Sequence, residues 1–247
     1  MPTWVTHMMI ADKVLEEQPQ LDRRGFCVGN IAPDCNIQNE DWTIYTPSRE
    51  KTHWMQSGRK AISDADAFCE EYIVKRRAEI SEGEEYSFLL GYYSHLITDA
   101  AFTRMIREEE RVAEVWTRIK ANEGLMQRLK ELETQSEEPL PKTWDTVKRL
   151  ISKEQRMREL ESLEEEYLQE HPKSGYITDI MPLKEFPDYI DYLPQGSIAF
   201  KIPYLGSYIP RIYGEAQFIG VSREEFAGYV RDTVDLVCER FGKMKLV

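Results

Sequence analysis

Residues 84–107, EEYSFLLGYYSHLITDAAFTRMIR, constrain the fold more than any other stretch. Two glutamates open the segment and apolar residues recur at helical spacing through it, so it reads as one long helix. His95 and Asp99 stand four apart, and therefore one above the other, on its inward face. They share that face with Phe88, Tyr92, Leu96 and Phe102. A carboxylate among aromatic side chains is costly unless something pairs with it. A metal ion is one such partner and a hydrogen-bonded histidine is another.

Helical periodicity dominates the rest of the chain as well. Val5, Met9 and Ala11 to Leu15 recur at helix spacing with Thr6 near the start. GFCVGNIAPDCNIQNEDW, residues 25–42, is rich in turn formers and reads as a short buried segment followed by a loop. Residues 52–77 read as a helix beginning around Thr52. Residues 104–170 carry apolar stripes separated by dense charge: Val112, Val115, Trp116 and Ile119; Leu125, Leu129 and Leu132; Trp144, Val147, Leu150 and Ile151; Met157, Leu160, Leu163 and Tyr167. They read as solvated amphipathic helices, with QSEEPLPK as a loop between two of them. Between residues 172 and 220, six prolines rule out a long helix and six tyrosines are spread among them: Tyr176, Tyr189, Tyr192, Tyr204, Tyr208 and Tyr213. This stretch fits a loop wall over a site and ordinary loop packing equally well. Residues 222–241 close the chain as a helix, with Ser222 as cap and Glu225 three positions on. The sum is an all-α protein, read as one domain over residues 1–247.

At 41% apolar, 31% charged and a net charge of −12, the chain reads as soluble and globular. The acidic balance argues against a nucleic-acid duplex or an anionic membrane surface as the main partner. It leaves room for one small anionic substrate, because a bound dication reverses the local sign. MPTWVTHMMIADKVL lacks the features of a secretory leader, and no apolar run approaches the ~20 residues of a membrane span. A cytoplasmic location is expected. Cys27, Cys35, Cys69 and Cys238 lie far apart with no CxxC pair, which favours free thiols over disulfides.

Three of the four histidines occupy distinctive settings: THMMIA at His7, KTHW at His53 and SHLITDA at His95. Taken singly, each fits a structural role better than a ligand role. With Asp34 in GNIAPDC and Asp99 they form a set of imidazoles and carboxylates within the first hundred residues, a donor set that suits zinc or iron. His171, in EHPKSG at a helix end, reads as a surface or capping residue.

THMMIADKVL, FCVGNIAPDC, KTHW and GYYSHLITDAAF, in that order over residues 3–103, resemble the zinc-dependent phospholipase C family. The resemblance implies an all-α fold, similar to that of the zinc-dependent single-strand nucleases, and phosphoester hydrolysis by metal-activated water. By position it implies Asp34, His53, His95 and Asp99 as ligands of one zinc, and His7 as a ligand of another that Asp99 bridges. It also implies Asp34 as general base. Tyr92 and Phe102, on the same helix face as His95 and Asp99, are expected to wall the site. One or two zinc ions are expected, with manganese or iron as substitutes. The implied substrate is a phospholipid or a small phosphodiester or phosphomonoester.

The sequence also departs from the family's pattern. Secreted members bind zinc through a processed N-terminal tryptophan, whereas Trp4 lies only three residues before His7. No histidine stands between His95 and His171, and Gly175 occupies the place of a glutamate four beyond His171, so a third metal site is absent. Cys35 replaces the aromatic residue that follows this aspartate in choline-selective members. A non-catalytic metal- or ligand-binding relative is the alternative. Other hydrolase classes fit poorly: there is no His-Asp dipeptide, no second Glu-x-x-His beyond Glu50–His53 and no GxSxG.

Overall fold

The computed structural model describes residues 2–41, 43–55, 62–205 and 215–246. Thr3 starts the first helix, α1 (Trp4–Glu17), its hydroxyl accepting the Val5 N–H at 3.2 Å. Asp22 caps α2 (Arg23–Gly29) through the Gly25 N–H at 2.7 Å. The segment expected to be merely buried is therefore helical. A 3₁₀ turn (Ala32–Asp34) follows, then a two-stranded antiparallel ribbon pairing Ile37 with Thr46 and Gln38 with Tyr45. Ser48 caps the short α3 (Arg49–Thr52), Asp64 caps α4 (Ala65–Cys69), and α4 runs into a π turn over Glu70–Val74. The long α5 (Glu84–Met105) comes next.

The amphipathic stripes become α6 (Glu109–Lys120), α7 (Glu123–Ser136), α8 (Trp144–Leu150) and α9 (Lys153–Glu170). A second π turn (Tyr176–Ile180) and α10 (Ser197–Leu205) interrupt the proline-rich stretch, and α11 (Arg223–Lys243) ends the fold behind the expected Ser222–Glu225 capping box. His171 is the C-cap of α9. Among the described residues the ribbon is the only sheet, so the all-α expectation holds. No described helix is long and apolar enough to cross a membrane. All four cysteines are free, and three of them are buried.

The helix expected over residues 52–77 does not start at Thr52; among the described residues it is reduced to α4 and the π turn that follows it, and residues 56–61 lie outside the described residues. His53 already caps α3, and Trp54 adopts φ of 52°. Met55 then bridges back to Ser63, and the Asp64 N–H bonds to the Trp54 carbonyl at 2.9 Å. The chain turns a corner at His53, and that corner aims the ring.

α5 is the axis of the molecule. Every residue from Tyr86 to Ala100 is buried, so the helix has no outward face over that span. α1, α2, α4 and α11 pack around it. The α2 crossing is unusually close, because a Cβ on Gly29 would stand 2.0 Å from the Phe88 carbonyl oxygen. On Gly91 it would stand 2.2 Å from the Phe26 carbonyl oxygen. Real Cβ atoms do not approach backbone that closely, so only glycine permits this helix spacing. The close approach brings the Asn30 carbonyl, at the end of α2, to 2.7 Å from His95 Nδ1.

Gly29→Ala forces α2 away from α5. An overpacking cost of ~1–3 kcal/mol is expected. For a chain of this size that is a fall of about 2–12 °C in melting temperature. Thermal unfolding followed by circular dichroism measures it, and an unchanged midpoint would contradict the packing.

Candidate metal centre

Five residues from four elements converge at the middle of α5. His7 comes from α1, Asp34 from the 3₁₀ turn, His53 from the end of α3, and His95 and Asp99 from α5 itself. His7, His53 and His95 are 1% exposed or less. The side chain of Asp99 is 7% exposed and that of Asp34 is 24% exposed, so solvent reaches the cluster from the Asp34 side. Two ligand-capable triads result, His7–His95–Asp99 and Asp34–His53–His95.

Outer contacts orient each ring. His95 Nδ1 lies on the Asn30 carbonyl, which can only accept, so Nδ1 carries the proton and Nε2 carries the lone pair. The Thr52 hydroxyl donates to the Arg49 carbonyl at 3.3 Å and so receives the His53 Nδ1 proton at 2.9 Å. In the neutral ring that leaves His53 Nε2 with its lone pair inward. The two Nε2 atoms stand 3.3 Å apart. His53 Nε2 is also 3.3 Å from Asp34 Oδ1 and 3.6 Å from Asp99 Oδ2. Four electron-rich atoms thus face one another in a largely buried space, an arrangement that calls for a cation among them or beside them.

Asp99 turns its other oxygen, Oδ1, toward His7 Nε2 at 3.6 Å. His7 stacks on His95 with ring centroids 3.8 Å apart, and neither of its buried nitrogens has a hydrogen-bond partner. A buried imidazole without partners is rare in a folded protein. The donor set fits zinc on both counts: four inward atoms on one side of Asp99, and an unsatisfied imidazole on the other.

Burial opposes ionisation of Asp34, yet its contact with His53 and the charge of Arg49 hold its carboxyl well below the usual range. Asp99 is likewise buried and is held below the usual range by His7 and the other two imidazoles. Burial pushes His95 down to about 3, helped by the neighbouring His7.

Two residues outside the ligand set expected from the sequence hold the carboxylates. Arg49 bridges them, with Nη1 donating to Asp34 Oδ1 at 2.9 Å and Nη2 to Asp99 Oδ2 at 2.8 Å. The Trp4 indole N–H donates to Asp34 Oδ2 at 3.1 Å. Trp4 thus reaches the cluster through its side chain, whereas the family's tryptophan uses its amine. The available signals were weak: Arg49 lies one turn before His53 on a short helix, and Trp4 one turn before His7.

Tyr92 and Phe102 do not line an open face. Tyr92 is buried, stacks on Phe68 and donates to the Thr52 carbonyl at 2.6 Å, while Phe102 packs edge-on against Tyr229. Of the tyrosines in the proline-rich stretch, Tyr192 bears on the cluster from behind. It receives the Trp54 indole N–H at 3.1 Å and donates to Tyr92 at 2.8 Å, locking the His53 corner. Tyr208 and Tyr213 lie outside the described residues. On the opposite side Glu164 of α9 accepts hydrogen bonds from the Thr3 and Thr6 hydroxyls and so anchors the first turn of α1, which carries His7. Burial pushes its carboxyl up to about 7, although those two bonds oppose the rise.

Residues 6–102 match the family model described as zinc dependent phospholipase C, which bears out the resemblance read from the motifs. All five convergent residues fall within the matched segment. No curated protein and no solved structure matches the chain.

Two buried groups give opposite pH dependences in metal-free protein. His95 has a folded pKa of about 3 against 6.5 unfolded, so its contribution is full above 6.5 and is lost as pH falls toward 3. Glu164 has a folded pKa of about 7 against 4.5 unfolded, so its contribution is full below 4.5 and is lost as pH rises through 7. Between those unfolded values the two slopes oppose each other. Urea unfolding of Glu164→Gln is expected to show stability rising with pH across that window, more steeply than in wild type. Parallel profiles would contradict the assignment.

Proposed function

With the zinc-dependent phospholipase C family as premise, we propose that the chain is a metal-dependent phosphoesterase. It hydrolyses a phosphodiester or phosphomonoester, carried either by a phospholipid or by a small soluble molecule. The observation that carries this reading is the convergence of His53 Nε2, His95 Nε2, Asp34 Oδ1 and Asp99 Oδ2. These four atoms would hold the first ion. His7 and Asp99 Oδ1 would help to hold a second, with Asp99 as the bridge. The reading treats residues 1–247 as one domain, supported by a hydrophobic core that runs from Trp4 to Leu246.

A zinc ion there, or manganese or iron in its place, supplies Lewis acidity toward a phosphoryl oxygen and acidifies water at neutral pH. The protein's own residues do the rest. Asp34 is ionised, is the more exposed carboxylate and is held by the Trp4 indole and Arg49, so it is placed to take a proton from the attacking water. Water oxygen attacks phosphorus while its proton passes to Asp34, the P–O bond to the leaving oxygen breaks with its electron pair, and the departing alkoxide takes up the proton that Asp34 received, leaving as the alcohol. Asn30 and Thr52 keep the His95 and His53 rings in the orientation that leaves Nε2 inward. The aromatic contacts around Tyr92 keep the opposite side of His53 dry.

One observation favours a second reading. Four protein donors around one point can close a tetrahedral ion, as structural zinc sites do. In that case the chain binds metal without turnover. Asp34→Asn separates the two readings. If Asp34 is the base, the folded variant, assayed at saturating zinc because it also loses a carboxylate ligand, hydrolyses bis(4-nitrophenyl) phosphate or 4-nitrophenyl phosphate about 10²–10⁴-fold more slowly per bound metal. Wild-type protein that is loaded with zinc and cleaves neither these esters nor a phosphatidylcholine vesicle would leave the non-catalytic reading standing.

Asp99→Ala tests the ligand assignment. Metal content and melting temperature are expected to fall together, because metal that binds only the native state stabilises it by linkage. Unchanged metal content in that variant would remove Asp99 from the site.

A further inference from the structure

Arg49 occupies the cluster in a way that neither the motifs nor hydrolysis alone requires. Its guanidinium donates to Asp34 Oδ1 and Asp99 Oδ2, the same two oxygens that face His53 Nε2. A dication among the inward atoms and the Arg49 fork therefore compete for the same lone pairs. The side chain of Arg49 is 31% exposed and Asp34 is 24% exposed, while the histidines are sealed, so the arginine stands on the one side open to solvent. Ser48 caps α3 and fixes the turn that carries both Arg49 and His53. The fork is thus anchored one helical turn from a proposed ligand.

We propose that Arg49 serves two successive roles: it neutralises Asp34 and Asp99 in metal-free protein, and on metal entry it yields their oxygens and clamps the phosphoryl group of the substrate. The inference rests on the metal reading above. Two carboxylates carry two negative charges, and the guanidinium cancels one of them. A dication reverses the balance, weakens both Arg49 bonds and repels the guanidinium toward the open side. The two N–H groups that had held carboxylate oxygens then meet phosphoryl oxygens, a geometry a guanidinium fork matches bidentately. No covalent step is involved.

The test uses full-length wild type, Arg49→Gln and Arg49→Lys. Zinc affinity is measured by competition with a chromogenic chelator, and orthophosphate affinity by calorimetry on the zinc-loaded proteins. Circular dichroism melting checks that each variant folds. Arg49→Gln is expected to bind zinc about 3–10-fold more tightly, because a competitor for the oxygens is gone, and orthophosphate at least about 10-fold more weakly. Arg49→Lys keeps the charge without the fork and is expected to fall between wild type and Arg49→Gln in phosphate affinity. Phosphate affinity retained in folded Arg49→Gln would overturn the clamp. Zinc affinity unchanged or lowered would overturn the exchange of partners and leave Arg49 a structural brace. A wild type that takes up no zinc would remove the metal reading itself, and it shows before any substitution is compared.

Discussion

The structure is organised around four lone pairs that point at one another. His53 and His95 approach nitrogen to nitrogen at 3.3 Å, with carboxylate oxygens of Asp34 and Asp99 beside them. Such an arrangement is unfavourable in a low-dielectric interior unless a cation sits within it or beside it. Arg49 provides the cation beside it. Much of the remaining architecture keeps those four atoms facing inward: Asn30 and Thr52 fix the rings, Trp4 fixes Asp34, and Tyr92 with Tyr192 fixes the corner at His53.

Placing the ring of His95 depends in turn on how closely two helices approach. α5 is buried on every side between Tyr86 and Ala100, and Gly29 and Gly91 let α2 close on it, which delivers the Asn30 carbonyl to His95. Glu164 plays a comparable part for His7 by tying the first turn of α1 to α9. A polar cluster of this kind costs stability, and the apolar core that runs through α1, α2, α4, α5 and α11 around it offsets that cost.

Periodicity and spacing made much of this legible. The i,i+4 pair His95–Asp99 declared itself on a helix whose apolar residues run through its whole length, and the capping box Ser222–Glu225 located the last one. The break at His53 was not legible, because apolar residues continue at helical spacing through Phe68 and Tyr72 while a tertiary corner overrides them. Arg49 and Trp4 were missed for a different reason. Their partner Asp34 lies 15 and 30 residues away, and nothing local in a sequence marks a contact that only the folded chain makes. Glu164 hid in the same manner, as one of many glutamates in an acidic amphipathic helix whose burial depends on what packs over it. The proline-rich stretch fits a wall over the site and ordinary loop packing equally well in sequence, and among its described tyrosines Tyr192 buttresses the cluster from behind.

The central claim is that the inward atoms of His53, His95, Asp34 and Asp99 hold a metal ion. Elemental analysis of untagged protein, purified without chelator and then dialysed, tests it most directly. The account predicts about one to two equivalents of zinc, or of manganese or iron in its place, per chain. Protein that carries no metal, and takes none up on titration with zinc, would contradict it.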